Sequence, residues 1–509
     1  MKKNSSIIHT SSGPLHGYVE DNVNKYLGIP YALPPTGNMR WKEPQLPICS
    51  HEVIDCTKYA SAAPQITENN GPLKNYENIN SSCNEDCLYL NIFSPVKKEK
   101  KLPVLFWLHG GGLIIGSGSN KLFDGSNLAK HGIIVVTINY RLGALGFMTH
   151  KQLAKESKHN SSGNYGLLDQ IAALKWVKNN IEKFNGDPDN ITLSGQSAGG
   201  ICSSILASSP LCKNIISKVI ILSATEETMQ LVMPDSYGTI DSVYKNTEKL
   251  IDRLKIETDD ILALRNIEYE NIVKHTEHFD CIFHKPPEFQ PVEDNYVLAE
   301  GGLNKAFAEK TIPYIPTIIG FTQDDGSLFA ADLTLAEYQT WLKKTFKGKL
   351  YKSILNKFPA AEKSQVPENI SKIFKMFAFI LPTMRFADYM SEFSNVYVYS
   401  FNRKNDTQLG KDYGVAHTSE LPYIFGNLDL VGINNNADKN ISEDIMRYWI
   451  NFIKTGTPNG NNTVTWPEFH KNNRKIIYLD SENSVGPLPE EKNSEYFNSI
   501  WNSQINISE

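Results

Sequence analysis

Short runs of apolar residues alternate along the chain with segments whose apolar residues recur every three or four positions. The runs lack the polar alternation of a half-exposed strand, which indicates strands that are buried on both faces of a parallel sheet. They lie at residues 104–108, 133–138, 191–193, 219–222, 315–319 and 396–401.

Helical spacing is clearest in two segments. In the first, apolar residues follow this spacing between Leu167 and Phe184, with Asn164 placed to cap the start and Gly186 and Pro188 placed to stop the chain. The second segment spans residues 445–453 and ends at a glycine and a proline. Strands that alternate with helices predict an α/β fold, a mostly parallel central sheet with helices on both faces. Since no internal repeat or low-complexity linker interrupts the pattern, we predict a single domain over residues 1–509.

A pentapeptide of the G-x-S-x-G type lies between a strand pattern and a helix pattern. Residues 195–199 (GQSAG) follow the β-prone residues 191–193 and precede apolar residues at helical spacing. A sharp turn from strand to helix holds its central residue in a strained conformation, and glycines two places away let the two elements approach closely. Ser197 is therefore a candidate nucleophile.

Glycines directly after another strand are candidates for stabilising an oxyanion. Residues 109–112 (HGGG) follow the run 104–108, and the backbone N–H groups of Gly111 and Gly112, together with that of Ala198, would form a three-donor hole. The alternative is a glycine turn that only requires positive φ.

A serine hydroxyl needs a base, and the base needs an anion to orient it. Of the 12 histidines, His417 is best placed, because it lies in a loop after the strand 396–401 and follows the other candidates in chain order. Asp324 and Asp325 both follow the strand 315–319 and precede His417. The residues themselves leave the choice between these two carboxylates open.

Several motifs in one order resemble those of the type-B carboxylesterase family of α/β-hydrolases, which includes carboxylesterases, cholinesterases and some lipases. They are residues 84–91 (NEDCLYLN), 139–143 (NYRLG), 163–170 (GNYGLLDQ), 186–188 (GDP) and 195–200 (GQSAGG). The resemblance extends over nearly the whole chain and implies the α/β-hydrolase fold with long loop and helical insertions.

The resemblance also implies roles for individual residues. Ser197 would be the nucleophile, Asp325 the acid and His417 the base, with Gly111, Gly112 and Ala198 as oxyanion donors. The implied reaction is the hydrolysis of small-molecule esters in two steps through an acyl-enzyme, with no metal or organic cofactor.

The chain departs from its relatives at three positions, one of them among these residues and two beside them. Most relatives carry glutamate where this chain has Asp325, many carry an acidic residue where it has Gln196, and an aromatic residue is usual where it has Leu113. Leu113 and Gln196 are candidate substrate-pocket residues, and Leu113 suggests a roomier acyl pocket. The absence of tryptophan between Gln65 and Glu85 argues against choline esters and favours uncharged, hydrophobic esters.

Composition and cysteine usage limit the partners and the compartment. A net charge of −5 and 40% hydrophobic residues fit an ordinary globular protein with no nucleic-acid partner. No apolar stretch is long enough for a signal peptide or a membrane span, so we expect a cytoplasmic protein, or a secreted one if the N-terminus was processed. The odd number of cysteines, seven, favours free thiols, and Ala63 stands where the resemblance implies a disulfide partner for Cys87.

Two alternatives compete with a serine esterase. A zinc site at His275, His278, Cys281 and His284 has non-standard spacing, and we expect no metal. Within the resemblance, a lipase acting on longer acyl chains is the nearest rival. A non-catalytic interaction protein of the same fold is disfavoured, because such relatives typically lack the serine or the histidine that this chain retains.

Overall fold

The strands of the protein assemble into one large sheet and one small sheet. The fold is that of a computed structural model, which describes residues 3–4, 6–66, 81–96, 101–276 and 287–505. The strands are β1 Lys3–Asn4, β2 Ile8–Thr10, β3 Gly13–His16, β4 Tyr18–Glu20, β5 Val23–Pro30, β6 Ile54–Asp55, β7 Tyr89–Pro95, β8 Leu102–Leu108, β9 Ile134–Ile138, β10 Gly186–Gln196, β11 Lys218–Leu222, β12 Thr317–Thr322, β13 Val396–Phe401, β14 Lys475–Leu479 and β15 Ser484–Pro487.

Helices connect most of these strands. They are α1 Ser126–Ala129, α2 Gly143–Phe147, α3 Lys151–Glu156, α4 Tyr165–Asn180, α5 Ala198–Ser208, α6 Glu226–Val232, α7 Ile240–Arg253, α8 Ile261–Arg265, α9 Tyr269–His275, α10 Gly302–Ala308, α11 Leu335–Thr345, α12 Gly348–Lys357, α13 Val366–Phe374, α14 Leu381–Met390, α15 Gln408–Tyr413, α16 Leu421–Phe425, α17 Asn436–Thr455 and α18 Glu491–Ile505. A π-helical segment, Lys375–Ile380, joins α13 to α14.

The large sheet is parallel in its centre and antiparallel at its ends. The described strands follow the order β1-β4-β5-β7-β9-β8-β10-β11-β12-β13-β14-β15, and those from β9 to β14 pair in parallel. The remaining pairs of this sheet are antiparallel. β2, β3 and β6 form the small sheet.

Successive residues of the central strands contribute to two different hydrophobic clusters. In β8, Phe106 and Leu108 belong to one cluster, whereas Leu105 and Trp107 belong to the other. Because side chains alternate between the faces of a strand, the two clusters lie on opposite faces of the sheet. The clusters include side chains of α4 and α5 on one face and of α17 on the other. The predicted α/β architecture is confirmed.

Two predicted boundaries were wrong. The strand predicted at residues 315–319 lies at Thr317–Thr322, because Gly320 continues the ladder where a glycine suggests an end. A Cβ at Gly320 would lie 2.3 Å from the Tyr399 ring, so the glycine allows close packing within the sheet. Gly186 and Pro188 do not end the preceding helix but begin β10. The chain leaves the helical region at Asn185, whose φ is 73°.

The predicted side-chain cap of α4 is also absent. Asn164 occupies the N-cap position, but its side chain caps no backbone group of the helix. Its amide instead pairs with the backbone of Val292, accepting from the N–H at 2.9 Å and donating to the carbonyl at 2.8 Å. Tertiary contact has therefore replaced the local cap, and Asn164 ties α4 to a distant segment.

The motifs that carry the family resemblance supply buried polar anchors. Arg141 and Asp169 form a buried ion pair with two side-chain contacts of 2.7 Å, and Asp169 also accepts from the Arg141 backbone N–H. Arg40 forms a second pair with Glu85, with contacts of 2.6 Å. If one partner of such a pair moved away, the other would be left as an uncompensated buried charge. Each pair therefore holds together the two segments that it joins.

The cysteines that the structure describes are free thiols: Cys49, Cys56, Cys83, Cys87, Cys202 and Cys212. Ala63 and Cys87 are both buried. Among the described helices, none combines the length and apolar character that crossing a lipid bilayer requires.

The buried ion pair of Arg141 predicts a large stability effect. Asp169→Asn leaves the guanidinium without a counter-charge, and we expect the free energy of unfolding in urea to fall by about 3–5 kcal/mol. Lys101→Met is the control, because the Lys101–Glu182 pair is exposed and its loss should leave the unfolding midpoint unchanged. Equal unfolding midpoints for Asp169→Asn and the unsubstituted protein would contradict this role of the pair.

Candidate active site

The predicted site residues converge at the carboxyl ends of neighbouring strands. Residue 109 follows β8, Ser197 follows β10 and Asp325 lies just beyond β12. In parallel sheets these ends meet at one edge, where open α/β folds bind their ligands. The loop that carries His417 joins this edge through a bridge between Asp324 and Ala416.

Ser197 occupies the predicted sharp turn between β10 and α5. Its backbone has φ 56° and ψ −123°, a strained conformation for a residue with a side chain. A Cβ at Gly195 would lie 2.2 Å from the Gly199 carbonyl oxygen, and one at Gly199 would lie 2.2 Å from that of Leu108. Only glycine fits at both positions. The turn leaves Ser197 partly exposed, whereas residues 196 and 198 are buried.

The glycine loop after β8 packs against the turn of Ser197, since a Cβ at Gly110 would lie 3.1 Å from the Ser197 Cβ. Gly111 and Gly112 have φ of 101° and 62°, and Ala198 begins α5, so its N–H has no partner within the helix. Within the described part of the chain, these three N–H groups donate to no protein acceptor. They are the three N–H groups that the sequence predicts as oxyanion donors.

Two buried amide side chains hold this loop. Gln65 accepts from the Gly116 N–H at 2.7 Å and donates to the Gly116 carbonyl at 2.9 Å. Asn139 accepts from the Gly118 N–H at 2.8 Å. The loop is thus fixed independently of any substrate, as a preorganised oxyanion site requires.

His109 contributes to the shape of the loop. Its Nδ1 donates to the Gly110 carbonyl at 2.9 Å, and its ring stacks on Tyr140 at 4.4 Å. Burial lowers the pKa of His109 to about 4. The ring is therefore neutral near pH 7 and adds no charge to the site.

His417 is paired with Asp325. The His417 Nδ1 donates to Asp325 Oδ1 at 2.5 Å, and both side chains are buried. The other oxygen, Oδ2, accepts from the Ser223 hydroxyl at 2.8 Å and from the Thr322 N–H at 2.9 Å. An ionised carboxylate only accepts hydrogen bonds, so Nδ1 carries a hydrogen and Nε2 carries the lone pair.

Asp324 has a different task. Its Oδ2 accepts from the Val415 N–H at 2.9 Å, and its backbone N–H donates to the Val415 carbonyl at 3.0 Å. A Cβ at Gly414 would lie 2.3 Å from the same carboxylate oxygen. Asp324 therefore anchors the loop that carries His417, while Asp325 contacts the imidazole.

The free nitrogen of His417 faces Gln196. The Gln196 Nε2 lies 3.0 Å from His417 Nε2, whereas the Ser197 hydroxyl makes no hydrogen bond with any group that the structure describes. Gln196, predicted as a substrate-pocket residue, is 2% exposed and contacts the imidazole of His417. Ser197 and His417 thus lie on elements that meet at this edge of the sheet. The Gln196 amide is hydrogen-bonded to His417 Nε2.

Two phenylalanine rings flank the imidazole. Phe379 stacks on His417 with ring centroids 5.0 Å apart, and Phe329 meets it edge to face at 5.4 Å. Phe379 lies in the π-helical segment Lys375–Ile380, a form of helix that is frequent at functional sites. The two phenylalanine side chains shield the His417 imidazole from water where they contact it and restrict its orientation.

A second carboxyl group lies near Asp325. Glu420 is buried, and neither of its carboxyl oxygens bonds to a protein group in the described ranges. Burial, together with the charge of Asp325, raises the pKa of Glu420 to about 8. Near pH 7 Glu420 is therefore mostly neutral.

Leu113 and the alternative metal site are the remaining predicted positions. Leu113 is fully buried in the hydrophobic cluster on the α5 face of the sheet and presents no surface to solvent. Of the alternative metal site, His275 ends α9, whereas His278, Cys281 and His284 lie outside the described residues. No group of three or more metal-ligating side chains occurs in the described part of the chain.

Comparison with known proteins fixes the family. The model of the Carboxylesterase family matches residues 4–497. The chain belongs to the carboxylesterase family.

Relatives of this carboxylesterase are named esterases. Para-nitrobenzyl esterase of Bacillus subtilis (strain 168) is 36% identical, over 96% of this chain and 98% of the relative. Carboxylesterase 1D of Rattus norvegicus is 30% identical, over 89% of this chain and 85% of the relative. A solved thermophilic PNB esterase superposes with a TM-score of 0.84 at 32% identity, covering 96% of this chain and 99% of that one. The chain is therefore an enzyme, a carboxylic ester hydrolase with the α/β-hydrolase fold.

Sequence reasoning missed several residues of this site. Ser223 directly follows β11, and its position at a strand end was the one signal that could have identified it. Phe329 and Phe379 carried no signal, because aromatic residues in helical segments usually belong to the core. Gln65 lay in a segment with no recognisable pattern.

Substitution of the two neighbouring aspartates should separate their roles in this carboxylesterase. In Asp325→Asn the amide can donate to Nδ1 and stabilise the wrong tautomer, so we expect kcat for p-nitrophenyl acetate to fall about 10⁴-fold. Asp324→Asn keeps an oxygen that accepts from the Val415 N–H, so kcat should fall by less than about tenfold. The reverse order of effects would show that Asp324 orients the base.

Proposed function

We propose that this carboxylesterase hydrolyses small uncharged esters through an acyl-enzyme on Ser197, with His417 as general base and acid and Asp325 as the orienting carboxylate. The single observation that carries the proposal is the short contact between His417 Nδ1 and Asp325 Oδ1, at the same sheet edge as the strained turn of Ser197. The contact leaves a lone pair on Nε2, the form of imidazole that accepts a proton.

In the first step Ser197 Oγ attacks the ester carbonyl carbon while its proton moves to His417 Nε2. The carbonyl oxygen becomes an oxyanion, which accepts from the N–H groups of Gly111, Gly112 and Ala198. The carbon–oxygen bond to the alcohol then breaks, and His417 returns the proton to the leaving alcohol. The acyl group remains on Ser197.

In the second step a water molecule replaces the alcohol. His417 takes a proton from the water as it attacks the acyl carbon, and the same N–H groups stabilise the second oxyanion. The bond to Ser197 Oγ breaks and His417 returns the proton to that oxygen. Asp325 remains ionised in both steps and stabilises the imidazolium.

Apolar groups beside the oxyanion loop support uncharged substrates. A Cβ at Gly112 would lie 3.8 Å from a side-chain carbon of Ile114 and 3.8 Å from one of Pro287. Hydrocarbon of Ile114 and Pro287 therefore lies near Gly112, whose N–H is a proposed oxyanion donor. Burial of this hydrocarbon favours apolar acyl or alcohol groups.

Position 196 and the segment between Gln65 and Glu85 argue against cationic esters as substrates. Gln196 is neutral where many relatives carry an acid, and no tryptophan occurs between Gln65 and Glu85. A quaternary ammonium group would find neither a nearby carboxylate nor an indole face at these positions.

Removal of the serine hydroxyl tests the nucleophile. Ser197→Ala should lower kcat for p-nitrophenyl acetate by at least about 10⁴-fold, because no other group can form the acyl-enzyme. Ser208→Ala is the matched control, since Ser208 ends the same helix and bonds only within it. Turnover in Ser197→Ala at the rate of the Ser208→Ala control would contradict the proposed nucleophile.

A pair of esters that differ only in charge tests the substrate class. Butyrylthiocholine and its neutral isostere 3,3-dimethylbutyl thiobutyrate have nearly the same shape. We expect kcat/KM for the neutral ester to equal or exceed that for the choline ester, because position 196 carries no carboxylate and residues 66–84 include no tryptophan. A clear preference for butyrylthiocholine in the same assay would contradict an uncharged-ester site.

A further inference from the structure

The Gln196 side chain lies between the base and the oxyanion loop. Its Nε2 is 3.0 Å from His417 Nε2, and its Oε1 would lie 2.9 Å from a Cβ at Gly110. The side chain is almost fully buried. The hydrogen bond to the imidazole therefore holds one end of this buried amide, and its carbonyl oxygen lies beside Gly110 at the other end.

The chemistry of the imidazole determines which end of the amide faces it. Since the Asp325 carboxylate holds the hydrogen on Nδ1, Nε2 of neutral His417 can only accept. The amide NH₂ of Gln196 is a donor and satisfies this lone pair, whereas a carbonyl or carboxylate oxygen in the same place would repel it. Gln196 thus matches the neutral, proton-accepting form of the base.

The other charged and titratable groups around His417 do not donate a hydrogen bond to Nε2. Asp325 faces Nδ1, Asp324 bonds to the Val415 backbone, and Glu420 is a buried carboxyl near Asp325. Tyr399 is buried, and burial raises its pKa well above the ordinary value, so it carries no charge. The two phenylalanine rings that flank His417 are uncharged. Of these groups, Gln196 is the one hydrogen-bonded to Nε2 in the described structure.

We propose that Gln196 is a positioning residue for the base, which holds the His417 imidazole neutral and oriented until Ser197 takes its place on Nε2. The inference rests on the proposed function, because it requires His417 to be the base. Nε2 has a single lone pair, so the amide must give way before the serine proton can be transferred. Residues 196 and 197 are neighbours on one turn, and the exchange requires only local motion.

A carboxylate at position 196 should change the pH dependence of the enzyme. Gln196→Glu has nearly the same shape but places a negative charge beside Nε2, and this charge stabilises the imidazolium. His417 would then bind a proton at higher pH, so the acid limb of the kcat/KM profile for p-nitrophenyl acetate should move upward by about one pH unit or more. An acid limb at the same pH as in the unsubstituted enzyme would overturn the inference.

Loss of the amide should reduce the rate without a change of charge. Gln196→Met keeps the length of the side chain but removes the contact that orients the imidazole, so a smaller fraction of the enzyme has Nε2 aligned for Ser197 and we expect kcat on the pH plateau to fall about fivefold with little change in KM. Gln170→Met is the matched control, a buried glutamine of α4 whose side chain bonds to the Cys202 thiol and not to His417. A kcat for Gln196→Met equal to that of the control would also overturn the inference.

A spectroscopic titration separates this inference from the proposed function. With ¹³C-labelled histidine, the His417 signal is assigned by its loss in His417→Gln, and its titration midpoint is compared in the unsubstituted and Gln196→Glu proteins. An upward shift supports the positioning role even if ester turnover does not depend on Ser197, a result that would defeat only the proposed function. Equal midpoints, with normal turnover that depends on Ser197, would defeat the positioning role alone.

Discussion

The site depends on one steric constraint, the close approach of strand β10 to helix α5 at Ser197. Glycines at 195 and 199 let the backbone fold back on itself and against Leu108, at distances that no side chain permits. The packed core on both faces of the sheet holds the strained serine at φ 56°. The same turn fixes the backbone of Ser197 and of Ala198, so the proposed nucleophile and one proposed oxyanion donor are positioned by one feature.

Much of this arrangement could be predicted because it is local. Glycine spacing around Ser197 and after β8 specifies turns, and turns depend on the backbone more than on distant packing. Continuous apolar runs indicated the parallel strands, because burial on both faces leaves no polar alternation. Chain order and the family resemblance selected His417 and Asp325, and the contact of 2.5 Å between them agrees with that choice.

The rest depends on contacts between distant segments, which leave little trace in a single sequence. Nothing in a DD dipeptide shows that Asp324 binds the Val415 backbone while its neighbour contacts the imidazole. The ring of Phe379 contacts His417 from a π-helical segment, and the Gln196 side chain bonds to the imidazole of His417. Likewise, Asn164 gives up its helix cap for the Val292 backbone because a tertiary partner is available.

The central claim is that one activated serine oxygen carries the chemistry, and covalent labelling tests it most directly. A fluorophosphonate reacts with a serine only when a base removes its proton and an oxyanion site receives the phosphoryl oxygen. After digestion and peptide mass spectrometry, the account predicts a single adduct on Ser197, which is absent when His417→Gln is treated in the same way. An adduct on another serine, or undiminished labelling of Ser197 in His417→Gln, would contradict it.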